Sequence, residues 1–112
     1  MKRYAIEAEI AVEPDVEAAF DWYEDEESGL GFEFLEELRA AYHRILNHPF
    51  GYQDLRFGIR RVLTHRFPYA VYFSVEGETI VIVAVLSTAR DSAEWQRRVK
   101  WRYSEYRSSL AR

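Results

Sequence analysis

The chain has 112 residues, of which 48% are hydrophobic, 16% aromatic and 30% charged; that is enough apolar material for one core in one domain and too much for a disordered chain. There is no cysteine, which excludes disulfides and thiolate-ligated metals, and the longest apolar stretch, Thr79 to Leu86, is far too short to cross a bilayer as a helix. The net charge of −4 divides unevenly, with 14 acidic and 4 basic side chains from Met1 to Leu55 against 5 acidic and 11 basic from Arg56 to Arg112.

Tyr4 to Val12 alternates, with Ile6, Ala8 and Ile10 on one side and Glu7 and Glu9 on the other, which predicts a half-buried strand. Glu7, Glu9 and Glu13 also interrupt the apolar run that a signal peptide needs, so cytoplasmic residence is expected. Pro14 suits the first turn of a helix, where Asp15 and Glu17 complement the positive end of the dipole. Val16, Ala19, Phe20 and Tyr23 then recur at amphipathic helical spacing until Ser28-Gly29. A second helix follows Leu30-Gly31 with Phe34, Leu35, Leu38, Tyr42 and Ile45 as its stripe, and His48-Pro49 stops it after Asn47. So short a link predicts an antiparallel helical hairpin with one continuous apolar surface.

Phe50 to Phe57 reads as an irregular connection. Ile59 to Arg66 is rich in β-branched residues and predicts a second strand, which Phe67-Pro68 interrupts. Tyr69 to Val75 predicts a third, with Tyr69, Val71, Phe73 and Val75 on one face, and Glu76-Gly77-Glu78 a tight turn. Thr79 to Thr88 is almost wholly apolar, as a strand covered on both faces would be. From Asp91 the period becomes helical again, with Trp95, Val99, Tyr103, Tyr106 and Leu110 on one stripe. This last helix either packs on the domain's own sheet or serves as an arm for a partner or a second copy. The order is β-αα-βββ-α, an α+β domain with a helical hairpin on a mostly antiparallel four-stranded sheet and a C-terminal helical extension over 90–112.

Common catalytic templates are missing. His43, His48 and His65 lack the spacing of a helical metal site, so no metal and no cofactor are expected. Glu24-Asp25-Glu26-Glu27 reads as solvated surface, and Gly29-Leu30-Gly31 lacks the preceding strand of a phosphate loop. What remains are arginines interleaved with aromatics. Arg61, Arg66 and Arg90 can converge at one end of the sheet, where they would either bind phosphate or carboxylate groups or satisfy acids of the same fold. The charge asymmetry is open in the same way: it suits an acidic or polyanionic partner, and it suits helices that carry Glu above strands that carry Arg.

Phe20-Asp21-Trp22-Tyr23, Gly29-Leu30-Gly31 before Phe34-Leu35, Pro49, Ile59-Arg60-Arg61, Arg66-Phe67-Pro68-Tyr69, and Ala89-Arg90-Asp91 with Trp95 and Arg98 together resemble the RelE/ParE toxin superfamily, in its ParE-like branch. The resemblance implies the toxin of a type II, plasmid-stabilisation-type toxin–antitoxin module, neutralised by a cognate antitoxin that folds as it wraps the toxin. Phe20, Trp22, Tyr23 and Trp95 are the residues expected to meet that antitoxin, and Arg60, Arg61, Arg66, Arg90 and Arg98 those expected to meet the target or its phosphates. Similar toxins either poison DNA gyrase or cut messenger RNA on the ribosome. Cleavage needs a base, an acid and cations around the phosphate; here Ser87 stands where the family frequently has His, and Arg61, His65, Tyr69 and Arg90 would have to serve. The ParE-like, non-nucleolytic reading is therefore preferred, with RNA cleavage and a non-toxic adaptor as alternatives. Assembly is expected as a homodimer or as a toxin–antitoxin hetero-oligomer, without a membrane.

Overall fold

The computed structural model describes residues 3–89 and 93–100. Its elements are β1 (Ala5–Ala8), α1 (Val12–Glu26), α2 (Leu30–Asn47), a 3₁₀ turn (Pro49–Gly51), β2 (Asp54–Arg56), β3 (Ile59–Leu63), β4 (Tyr69–Glu76), β5 (Thr79–Ser87) and α3 (Ala93–Arg98). The sheet has five strands rather than four, in the order β1-β5-β4-β3-β2, with β1 parallel to β5 and the other pairs antiparallel.

The extra strand is β2, inside the stretch expected to be irregular. It pairs with β3 through a two-residue turn in which Phe57 (φ 55°) and Gly58 (φ 79°) both have positive φ, the backbone of a primed hairpin turn. At the other edge, β1 stops at Ala8 and Ile10 is 93% exposed in the turn into α1, so Ile10 does not share a buried face with Ile6. β3 ends at Leu63, three residues short of Arg66. Glu37 of α2 accepts hydrogen bonds from the His65 and Arg66 N–H groups (2.9 and 2.7 Å), while Thr64 Oγ donates to the Phe67 carbonyl, so this backbone turns away from the ladder.

α1 and α2 form the expected hairpin across one face of the sheet. Gly29 (φ 92°) supplies the left-handed step between them, and at Gly31 the helices touch. The Gly31 N–H donates to Glu24 Oε1 (2.9 Å), and a Cβ there would lie 2.7 Å from Glu24 Cγ and 2.8 Å from both Phe20 Cδ2 and the Phe20 carbonyl oxygen. Gly31→Ala must push α1 from α2 and is expected to lower stability by about 1–3 kcal/mol. Gly51→Ala meets only His48 Cβ at 3.4 Å and should change stability by less than about 0.5 kcal/mol, a contrast that paired thermal melts will read.

The hairpin stripe, the alternate residues Val71 and Phe73, and Ile80, Ile82 and Val85 make the main core. Its aromatic centre joins Phe34 to Tyr69 (5.0 Å between ring centroids) and Tyr23 to Phe67 (4.7 Å). A second core on the opposite face packs Ile59, Ala70, Tyr72, Val83, Ala84 and Leu86 under Trp95 and Val99. The helix carrying Trp95 thus covers the domain's own sheet; Tyr103, Tyr106 and Leu110 of the expected stripe lie outside the described residues.

Tyr42, partly buried against the main core, has its phenol pushed up to about 12 by desolvation and by the charge of Asp15. The folded state therefore keeps this proton at pH values where the unfolded chain, near 10, has lost it. Stability from this source is complete below pH 10 and declines toward pH 12, by about 3 kcal/mol in all. Tyr42→Phe should remove that part of the alkaline loss, which denaturant titrations between pH 9 and 12 will measure.

Candidate functional site

β5 lies between β1 and β4 only over its first half. β1 pairs with Thr79 to Ile82, and beyond Ile82 that side of β5 has no neighbouring strand among the described residues. At this point the register slips: Tyr72 faces Ala84 while Phe73 faces Ile82, so Val83 is the extra residue of a bulge, and Val83 and Ala84 both turn to the second core. Backbone groups on the open side of β5 are taken by side chains. Asp15, in the first turn of α1, accepts from the Val85 N–H (3.0 Å) and from both terminal nitrogens of Arg98 (2.9 Å each), and Arg98 Nη1 also donates to the Val83 carbonyl (3.2 Å). One carboxylate and one guanidinium clasp α1 to α3 across the edge of the sheet. Hydrogen bonding to Asp15 raises the Arg98 pKa further above its usual value, against the opposing pull of desolvation.

Past the clasp, the strand alternation that turns the Val85 N–H outward also turns the Val85 carbonyl and the Ser87 backbone toward the open side. A groove of about 570 Å3 runs there between α1 and β5, bounded by Asp15, Ala18, Trp22 and Tyr23 on one wall and by Pro68, Tyr69 and Ser87 on the other. Trp22 is 63% exposed, although it stands on the hairpin's apolar flank. Phe20 is half-buried, with its ring edge-on to that of exposed Phe32 (5.0 Å). Burial, and then the neighbouring Tyr69, raise the Tyr23 pKa.

Of the four residues expected to meet an antitoxin, Trp22 and Tyr23 line this groove, whereas Phe20 is turned to α2, against Phe32 and Gly31. Trp95 does not join them: it is 6% exposed and stacked on Tyr72 (5.5 Å) on the other face of the sheet, so it holds α3 down.

Of the arginines expected to gather, those among the described residues have different partners. Arg66 pairs with Glu33 of α2, which raises its pKa, and Arg98 is committed to Asp15. Arg60 donates to the Tyr52 carbonyl and lies over the Phe50 ring (5.2 Å). Arg61 is exposed on the α3 side of the sheet, opposite Tyr72 in the register. Arg90 lies outside the described residues. The acids of the first half of the chain thus satisfy two arginines of the second, Arg66 and Arg98, so part of the charge asymmetry closes within the fold.

The residues that RNA cleavage would need are also separated. Among the described residues, Arg61 shares the face of Tyr72, whereas Tyr69 sits on the opposite face against Phe34, and Arg61 and His65 border a common concavity. The features that sequence reading missed are the Asp15–Arg98 clasp and the open edge it terminates. Asp15 is legible as a dipole partner, but nothing local announces a bond to a residue 83 positions away.

Residues 10–92 match the family model described as the ParE toxin of the type II toxin–antitoxin system parDE. The chain belongs to the ParE toxin family. Its fold agrees: a solved structure titled "Chromosomal ParDE TA system from P. aeruginosa" superposes with a TM-score of 0.66 at 17% identity, covering 76% of this chain and 96% of that one. No curated protein matches the sequence. In this ParE-family toxin, no helix among the described residues is long and apolar enough to cross a membrane.

Proposed function

We propose that the protein is the growth-inhibiting toxin of a toxin–antitoxin pair, that it acts by binding DNA gyrase rather than by cutting RNA, and that its cognate antitoxin occupies the groove between α1 and the open edge of β5. The observation that carries this reading is the groove itself, where the end of β5 that has no neighbouring strand on this side among the described residues runs beside exposed Trp22. An extended segment entering it gains main-chain hydrogen bonds from β5 and buries Trp22, the arrangement by which a disordered chain is ordered on a sheet edge. Support for binding over cleavage comes from the separation of Arg61 from Tyr69, the commitment of Arg66 and Arg98 to carboxylates, and Ser87 in place of an imidazole.

The test is a plasmid supercoiling assay with purified gyrase. Loss of supercoiling with rising toxin, restored by the antitoxin, is the expected result; unchanged supercoiling in toxin excess overturns the gyrase assignment. Arg61 and His65 at one concavity favour the ribosomal reading to a lesser degree. Transcripts that stay intact through the growth arrest would remove it.

A further inference from the structure

β2 covers the edge of β3 only as far as the pairing of Asp54 with Arg60. Because the Thr64 N–H points to β4, bonding the Tyr69 carbonyl, the neighbouring Leu63 turns its backbone the other way, to the open edge. Arg44, in the last turn of α2, reaches over and donates Nη1 to the Leu63 carbonyl (3.2 Å). Its Nε is screened from solvent and has no hydrogen-bond acceptor among the described residues. A guanidinium held through Nη1 keeps Nε–H and Nη2–H on its other edge, and that pair is the fork that grips two oxygens of a carboxylate or phosphate. A buried N–H left without an acceptor is costly, so an acceptor supplied from outside is favoured there.

The surroundings suit an anion. Arg44, Arg61, His65 and Gln53 border one concavity of about 410 Å3, ample for a single oxyanion with water. Arg61 and His65 are exposed on its rim. Glu37, the carboxylate beside the His65 loop, is turned to the His65 and Arg66 N–H groups.

From these positions we propose that the edge of β3 carries an oxyanion site in which the free Nε–Nη2 fork of Arg44 grips a phosphate group and Arg61 adds a second cation. Phosphate is favoured over a carboxylate because it has oxygens to spare for a second cation once the Arg44 fork is filled. The site lies apart from the α1–β5 groove and stands whether or not gyrase is the target, so it fails or survives independently of the supercoiling assay.

The test is an NMR titration of the whole protein with inorganic phosphate and, separately, acetate, each matched in ionic strength with chloride, following the arginine Nε–H signals. The Arg44 Nε–H should shift saturably with phosphate and more weakly with acetate, while that of Arg39, an exposed arginine of α2, follows ionic strength alone. A stronger response to acetate than to phosphate would overturn the phosphate assignment. Arg61→Gln, at an exposed position, should weaken binding about threefold to fivefold. Arg44→Lys, which keeps the charge and a donor for Leu63 but loses the fork, should abolish saturation. Equal, unsaturated shifts at Arg44 and Arg39, or full binding in Arg44→Lys, would overturn the site.

Discussion

Asp15→Ala is expected to lower the unfolding free energy by about 3 kcal/mol, because it strands Arg98 in a partly buried site and leaves the Val85 N–H without its acceptor. The side chains are only 21% (Arg98) and 10% (Asp15) exposed, so solvent screens the pair far less than it screens Arg66 with Glu33, at 58% and 50%. For a domain of this size the melting temperature should fall by roughly 12 °C or more. Glu33→Ala, at the exposed pair, should cost less than about 1 kcal/mol. Denaturant unfolding of Asp15→Ala, Arg98→Ala and the double variant will separate the coupling from the single losses, and the double variant should cost clearly less than the two singles together. Additive losses would mean that Asp15 and Arg98 act on their separate helices rather than as one clasp.

Trp22→Ala is expected to weaken the complex with the cognate antitoxin by about 2 kcal/mol or more, roughly 30-fold, with the loss in the dissociation rate. The side chain is 63% exposed in the free toxin, so its removal should leave the stability of the toxin alone within about 0.5 kcal/mol. Trp95→Ala should behave oppositely. That ring is buried on Tyr72, and truncating it should destabilise the toxin by about 3–5 kcal/mol, any effect on binding following from that. Calorimetric titration beside thermal melts of both variants distinguishes an anchor for a partner from a core residue, and near-normal binding by Trp22→Ala would empty the groove of its main contact.

What the sequence reveals is what short-range periodicity encodes. The stripes from Val16 to Tyr23 and from Phe34 to Ile45 specify the hairpin, and the alternation from Tyr69 to Val75 specifies which face of β4 meets it, as the main core shows. The apolar run from Thr79 correctly marks a strand covered on both faces. β2 is hidden because its turn places Phe57 where a left-handed backbone ordinarily calls for Asn, Asp or Gly. Alternation misleads at Ile10, because a pattern of period two continues through a turn that ends the strand.

The arginines show the same limit at longer range. Arg61 and Arg66 are only five positions apart, yet one stays on the sheet while the other is drawn to Glu33 by a loop that Glu37 pins from α2. Spacing along a strand says nothing about the carboxylates that a helix lays beside it. The bulge at Val83 is equally silent, since an extra residue within an apolar strand leaves the pattern of apolar letters unchanged.

Amide hydrogen exchange on the toxin–antitoxin complex decides whether the antitoxin lies along β5. Binding should slow exchange at Ser87, at the uncovered end of β5, and along α1 around Trp22. Protection confined to β2 or to the α3 face, with Ser87 exchanging as fast as in the free toxin, would contradict that placement.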